Sequence, residues 1–237
     1  MKKFAVLKST LIFACALVLL SEVCGYAQET TVIDVEENKK ESAIWDFDKD
    51  AIGKLPTGWK VEATDPRGEL ATWEVVSDSK DGKKTKVLSM TKVNDDFGGT
   101  FNICWTDSVQ FKDGEIEVYF KAIRGVEDQG GGPIWRVQDK NNYYIARANP
   151  LENNFRIYTV KDGKRRTLDS ARVKVPSKQW HTIKIIHKGK NIKGYLNGEK
   201  LLEYEDDTFP EVGGVGLWTK ADAVTEFDDF SVRSEDR

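Results

Sequence analysis

The chain has 237 residues and a formal net charge of −3 at pH 7, with 36 Lys and Arg against 39 Asp and Glu. This mildly acidic balance argues against nucleic acid as the main partner, because binding to a phosphate backbone needs a dominant basic surface. The length suits a single all-β domain, which can extend to about 200–250 residues.

The N-terminus has the pattern of a secretory signal peptide. Three lysines precede the apolar run Leu11–Leu20, which is too short to span a bilayer comfortably, and Gly25-Tyr26-Ala27 supplies small residues for cleavage after Ala27. This pattern predicts secretion to the periplasm or the cell exterior. Lipidation of Cys24 is the less favoured alternative, because Ser21 and Val23 stand where a lipoprotein signal has an aliphatic and a small residue.

The rest of the chain divides into a polar segment and one domain. Residues 28–42 are charged and without periodicity, which predicts a flexible lead-in, and residues 43–237 are expected to form the domain. No apolar run after the N-terminus is long enough for a membrane helix. Cys104 lies in an apolar run and is expected to be a buried, inert thiol.

From Ala43 onward, short β-type runs alternate with turn signals. Gly114–Ile123 alternates strictly, so that Ile116 and Val118 share one face and Glu115 and Glu117 share the other. Hairpin turns are indicated at Asp81-Gly82, Asp162-Gly163 and Asn197-Gly198. Further strands are predicted at 44–47, 72–76, 86–92, 180–187, 191–196, 201–204, 215–218 and 226–232. Many short strands at this spacing are typical of a β-sandwich or barrel.

The segment Trp135–Tyr158 combines arginines with aromatic residues on three predicted antiparallel strands. Alternation along a strand places Trp135 with Val137 on one face and Arg136 with Gln138 on the other. The residues expected to share one arginine-rich face are Arg136, Tyr143, Arg147, Asn149, Arg156 and Tyr158. Arginine is rarely buried unless it is paired. This face is therefore either a site for an oxygen-rich ligand or an ion-pair lattice with Glu115, Glu117 or Glu152.

Several of these motifs resemble a known group of proteins. The residues that carry the resemblance are Gly131–Arg136, Asn142–Glu152, Trp180–Thr182, Tyr195–Gly198, Gly214–Asp222 and Phe227–Phe230. They resemble secreted bacterial jelly-roll proteins of the concanavalin A-like lectin/glucanase superfamily, near laminin-G-like domains, and are similar to 3-keto-disaccharide hydrolase domains. The resemblance implies an all-β sandwich with a jelly-roll fold and a carbohydrate or glycoside ligand on the concave sheet face.

Two functions follow from this resemblance, a lectin-like binding domain and a glycoside-cleaving hydrolase of the 3-keto-disaccharide type. The candidate ligand-binding residues are Arg136, Tyr143, Arg147, Asn149, Glu152, Arg156, Tyr158, Trp218, Lys220 and Asp222. The Glu-x-Asp-x-x-Glu pattern of related β-glucanases is incomplete, because Ser231 stands at the last position after Glu226-Phe227-Asp228. This absence favours binding. The remaining candidates for a general base are Glu117 and His181.

Metal binding is considered for two sets of residues. His181 and His187 are six residues apart on one predicted strand, about 20 Å, which is too far for one zinc ion. Asp46, Asp48 and Asp229 could converge on calcium if the first and last strands pair. The alternative is that these aspartates cap turns and edges. The oligomeric state is left open.

Overall fold

The computed structural model describes residues 42–93 and 98–235, which form fifteen β-strands. These residues contain no helix, and therefore no helix that could cross a membrane. The strands β1 to β15, in chain order, are Ser42–Trp45, Lys60–Thr64, Thr72–Lys80, Lys83–Lys92, Phe101–Phe111, Gly114–Arg124, Gly131–Asp139, Asn142–Asn149, Asn154–Lys161, Lys164–Arg172, His181–Lys188, Asn191–Leu196, Glu199–Glu205, Gly213–Lys220 and Val224–Ser234. The predicted signal peptide and nearly all of the predicted lead-in lie outside the described residues.

The strands form two antiparallel sheets that pack face to face. The eight-stranded sheet has the order β13-β12-β11-β6-β15-β4-β3, with β1 also paired to β15. The seven-stranded sheet has the order β10-β9-β8-β7-β14-β5-β2. The predicted β-sandwich is therefore confirmed. The pairing of β1 with β15 joins the first described strand to the last, which was the condition set for a calcium site between them.

The main core lies between the two sheets and follows from alternation along the strands. On β6, Ile116, Val118 and Phe120 are fully buried, whereas Glu115 and Glu117 on the opposite face are partly exposed. Burying a side chain of this size contributes about 1.5–3 kcal/mol. From the seven-stranded sheet the core receives Cys104, Trp135, Tyr144, Ala146, Ala148, Phe155, Ile157, Val215 and Leu217.

A second apolar cluster lies on the other face of the seven-stranded sheet. Its members are Phe101, Ile103, Trp105, Ile134, Val137, Tyr143, Ile145, Tyr158, Val160 and Trp218. Strands five positions apart in the sheet meet over this face: the guanidinium carbon of Arg165 on β10 lies 5.1 Å from the ring centroid of Phe101 on β5. In a flat sheet, a strand spacing of about 4.8 Å would separate β10 and β5 by about 24 Å. The seven-stranded sheet is therefore strongly curled, and this face is concave.

Candidate functional site

The concave face carries a group of charged, amide and aromatic side chains, here called the concave site. It consists of Asp128, Arg147, Asn149, Glu152, Asn154, Arg156, Tyr158, Arg165, Trp218 and Lys220. Arg147 on β8 is its centre, with only 1% of its surface exposed. Its two terminal nitrogens donate to the Oε1 and Oε2 atoms of Glu152 at 3.1 and 3.2 Å, and Nη2 also donates to Asn154 Oδ1 at 2.8 Å.

The turn between β8 and β9 presents Glu152 to these donors. Asn149 Oδ1 accepts hydrogen bonds from the backbone N–H groups of Leu151 and Glu152 at 2.8 and 3.3 Å. Asn153 adopts a left-handed conformation with φ of 49°, which asparagine tolerates better than most residues. Arg156 Nη1 donates to Glu152 Oε2 at 2.9 Å. The hydrogen bonds that Glu152 accepts from Arg147, together with those from its other donors, lower the pKa of Glu152 to about 2.

A second carboxylate reaches Arg147 from the loop before β7. Asp128 Oδ2 lies 3.6 Å from Arg147 Nη1 and 3.8 Å from Lys220 Nζ, and Asp128 Oδ1 accepts from Asn149 Nδ2 at 3.0 Å. Asp128 is 3% exposed, and this burial raises its pKa. The approach is close, because a Cβ atom on Gly130 would lie 2.6 Å from Arg147 Cδ.

Asp222 holds this loop in place. Its carboxylate accepts three hydrogen bonds, from the backbone N–H groups of Val126, Glu127 and Asp128, at 2.6, 3.0 and 3.0 Å. These bonds outweigh burial and lower the pKa of Asp222. Asp222, predicted as a ligand-binding residue, thus contacts the loop that positions Asp128.

Aromatic rings form the floor beside these charges. The guanidinium carbons of Arg147 and Arg165 lie 5.7 and 4.6 Å from the ring centroid of Tyr158, and that of Arg165 lies 5.9 Å from the Trp218 ring. Tyr158 Oη and Arg147 Nε are shielded from solvent and have no hydrogen-bond partner among the described residues. Buried polar atoms are nearly always satisfied, so these two atoms are available for a partner other than the described residues.

Arg136 lies elsewhere, and its predicted place on this face is wrong. The register between β7 and β8 shifts after Trp135, and Arg136 has a positive φ of 47°. Because of this bulge Trp135 points into the main core and Val137 into the concave cluster, so these two residues do not share a face. Arg136 is buried at one end of the sandwich, where it donates to Phe209 O at 2.7 Å and pairs with Asp113.

Tyr143 lies on the concave face, as alternation predicted, but its hydroxyl is occupied. Tyr143 Oη and Thr64 Oγ1 are 2.7 Å apart, a contact between β8 and the edge strand β2. Burial raises the pKa of Tyr143 well above its usual value. This hydroxyl therefore supports the curl of the sheet.

The two candidate bases lie away from the concave site. Glu117 is on the outer face of the eight-stranded sheet, so its expected position on the concave sheet is wrong. His181 points between the sheets, where its ring nitrogens contact Pro176 O at 2.9 Å and Asn197 Nδ2 at 3.1 Å. The ion-pair lattice was expected with Glu115, Glu117 or Glu152. Among these three, Glu152 is the partner of the concave-face arginines, and Glu115 lies near Lys184 instead.

The aspartates predicted to bind calcium have protein partners. Asp48 Oδ1 accepts from the backbone N–H of Lys86 at 3.0 Å, and Asp46 Oδ1 accepts from that of Asp48 at 3.2 Å. Lys80 Nζ binds Asp229 and its neighbour Asp228. Within residues 42–93 and 98–235, no group of three or more His, Cys, Asp or Glu side chains is arranged to hold a metal ion. Calcium binding stays a prediction from the sequence.

The family of the chain is found by comparison with family models. Residues 44–233 match the model of the 3-keto-alpha-glucoside-1,2-lyase-like domain. The chain belongs to this family. The predicted similarity to 3-keto-disaccharide hydrolase domains is thereby confirmed. No protein of curated function matches the sequence.

Solved structures show which fold this 3-keto-alpha-glucoside-1,2-lyase-like domain has. It is similar to the carbohydrate-binding module CBM66 from Bacillus subtilis, with a TM-score of 0.58, 18% identity, and coverage of 74% of this chain and 95% of that one. It is also similar to domain 4 of AbnA, a GH43 extracellular arabinanase from Geobacillus stearothermophilus in complex with arabinotriose. That comparison has a TM-score of 0.57, 15% identity, and coverage of 85% and 95%. At these identities the likeness establishes the jelly-roll fold.

Three members of the concave site in this lyase-like domain were not among the predicted binding residues: Asp128, Asn154 and Arg165. Arg165 lies on β10, a strand that the sequence analysis did not predict. The turn signal at Asp162-Gly163 could have located it, because a two-residue hairpin places Arg165 opposite Val160. Asp128 carried no such signal, because its loop reaches Arg147 only through the folded sheet.

Proposed function

We propose that the chain is a secreted carbohydrate-binding protein whose ligand lies on the concave face of the seven-stranded sheet. Secretion is supported by the signal-peptide pattern of residues 1–27. The fold is shared with a carbohydrate-binding module and with a domain crystallised with arabinotriose, which supports sugar as the ligand class.

One observation carries the proposal: buried polar atoms without partners lie beside aromatic rings on the concave face. Sugars offer both kinds of contact, because a pyranose ring has apolar faces that stack on aromatic rings and hydroxyls that exchange hydrogen bonds. Tyr158 Oη and Arg147 Nε lack partners among the described residues, and Tyr158 and Trp218 supply the rings. A bound hydroxyl would complete these hydrogen bonds.

The substitution Tyr158→Phe tests this assignment. It removes one hydroxyl that has no hydrogen-bond partner among the described residues, so we expect the stability of the fold to be unchanged or slightly increased. Affinity for glycans found by array screening should fall about 5–15-fold, the loss of one hydrogen bond worth ~1–1.5 kcal/mol, in isothermal titration. The control is Tyr195→Phe on the other sheet, where Lys184 Nζ lies 5.4 Å from the ring. The proposal fails if no glycan binds, or if Tyr158→Phe and wild type bind equally.

A second candidate function, cleavage of a 3-keto-glucoside, is favoured by family membership and by two carboxylates. Asp128 and Glu152 share Arg147, yet burial raises the pKa of Asp128 while hydrogen bonding lowers that of Glu152 to about 2. Such divergent pairs are typical of acid–base sites. In a 1,2-elimination, Asp128 would take the C2 proton that the 3-keto group acidifies. The C2–H electrons then form the C1–C2 double bond as the C1–O bond breaks, and the departing oxygen takes up a proton.

Turnover separates the two functions. Purified protein is incubated with 3-keto-glucosides, and products are followed by mass spectrometry, which distinguishes the unsaturated product of elimination from the hydrated product of hydrolysis. Catalysis predicts that Asp128→Asn abolishes turnover while glycan binding persists. Binding without turnover in the wild type would rule out the lyase and leave the binding function.

A further inference from the structure

Arg165 is a cation on the concave face that has no carboxylate within ion-pair distance among the described residues. Its guanidinium carbon lies 4.6 Å from the Tyr158 ring centroid, 5.1 Å from that of Phe101 and 5.9 Å from that of Trp218. Its Nη1 atom is shielded from solvent and has no hydrogen-bond partner in the part of the chain that the structure describes. Three rings and a guanidinium with one unsatisfied nitrogen thus meet at one place on the curled sheet.

The neighbouring arginines are different, because each has a carboxylate within ion-pair distance. The pairs are Arg136 with Asp113, Arg147 with Glu152, Arg156 with Glu152 and Arg166 with Asp206. Arg166 follows Arg165 directly but points to the opposite face of β10, where its Nη2 lies 2.6 Å from Asp206 Oδ2. The lack of a partner is therefore a property of the position of Arg165 on the concave face.

The charge of the whole concave site also favours an anionic ligand. Its cations are Arg147, Arg156, Arg165 and Lys220, and its carboxylates are Asp128 and Glu152. This is a formal excess of two positive charges in a chain whose net charge is −3. Burial lowers the pKa of Arg165, and the more distant carboxylates of Asp128 and Glu152 do not offset this effect.

We propose that Arg165 binds the carboxylate of an acidic saccharide, so that the ligand of the concave site contains a uronic acid residue. This inference rests on the proposed carbohydrate-binding function and narrows its ligand class. A guanidinium matches a planar carboxylate through two parallel hydrogen bonds, and the pair is strongest where water is excluded. The sugar ring that carries the carboxylate would lie against Tyr158 and Trp218.

The test compares acidic oligosaccharides with neutral counterparts of equal length. Oligomers of galacturonate, glucuronate, mannuronate and guluronate are titrated calorimetrically, each beside its carboxyl-reduced form. We expect at least one acidic oligomer to bind about tenfold or more tightly than its reduced form, and added salt to weaken only the acidic one. Arg165→Gln should abolish this preference, whereas Arg172→Gln, an exposed change on the same strand, should leave it intact.

Thermal denaturation shows whether the Arg165→Gln variant is still folded. Because Arg165 has no ion pair among the described residues, Arg165→Gln is expected to leave the melting temperature unchanged or raise it. The inference is overturned if no acidic oligomer binds more tightly than its reduced form, if sulfated neutral sugars compete better than uronates, or if Arg165→Gln keeps the preference. If neutral glycans bind and Tyr158→Phe weakens them, carbohydrate binding stands without the acidic ligand. If no glycan of either kind binds, both proposals fail.

Discussion

Replacing Glu152 by Gln removes one negative charge at the centre of the concave site while keeping the size of the side chain. In the wild type this carboxylate accepts hydrogen bonds from Arg147, Asn154 and Arg156, at 2.8–3.2 Å. Arg147 is buried, and among the described residues it would keep only Asp128, at 3.6 Å, as a counter-charge. A buried cation that loses its partner destabilises the fold, so Glu152→Gln should lower the free energy of unfolding.

The magnitude follows from the pKa of Glu152, which is lowered from 4.5 to about 2. Before solvent screening is considered, this shift corresponds to a contribution of about 3 kcal/mol to the free energy of unfolding at neutral pH. The Glu152 side chain is 41% exposed, and solvent screening reduces the contribution to about 1–2 kcal/mol. For a domain of this size such a loss lowers the melting temperature by about 2–8 °C.

The pH dependence is the sharper test. A carboxyl with a lowered pKa stabilises the fold above its unfolded value of 4.5, and this contribution disappears as pH falls toward 2. Urea denaturation of wild type and Glu152→Gln at pH 7, 5, 4 and 3 should therefore show a difference in the free energy of unfolding that is largest at pH 7 and falls to less than about half at pH 3. Glu211→Gln, an exposed change, should match wild type throughout. A difference that stays constant from pH 7 to pH 3 would refute the electrostatic reasoning.

Two further changes probe the core and the other sheet. Burial lowers the pKa of His187 from 6.5 to about 3, so as the pH falls the unfolded chain is protonated before the folded one. The free energy of unfolding of wild type should therefore decrease by about 2 kcal/mol between pH 7 and pH 5. His187→Asn, which keeps an acceptor for Trp135 Nε1, should remove this loss in urea titrations; an unchanged slope would exclude His187 as its source. Lys121 binds Asp78 and Glu226 on the eight-stranded sheet, and its side chain is 11% exposed. Lys121→Met should lower the free energy of unfolding by about 2–4 kcal/mol at pH 7 and by less at pH 4, where the carboxyls begin to protonate. An equal decrease at both pH values would contradict this account.

Alternation identified the strands whose two faces meet different surroundings, and it failed where that contrast was missing. Gly114–Arg124 was predicted well, because Ile116 and Val118 face the core while Glu115 and Glu117 face solvent. Strand β10, Lys164–Arg172, was missed because an edge strand buries little and its sequence is almost entirely polar. Arg136 was misplaced because a bulge adds a residue to β7 and reverses the faces beyond it.

The concave site shows the same division between local and distant residues. Arg147, Asn149, Glu152 and Arg156 were predicted as one group, since a tight turn keeps residues this close in sequence within reach of each other. Strand order then brought Trp218 and Lys220 beside them, on β14 of the same sheet.

The sequence by itself determined the fold class and the local arginine and carboxylate group, because both depend on a period of two along the strand and on short turns. The tertiary structure decided which arginine of the concave site has no ion pair among the described residues. Arg165 meets Phe101 and Trp218 only because the seven-stranded sheet curls, and Asp128 reaches Arg147 only because Asp222 holds its loop. Curvature and loop docking arise from contacts between residues far apart in the chain, and the alternation of residues along a strand does not predict such contacts.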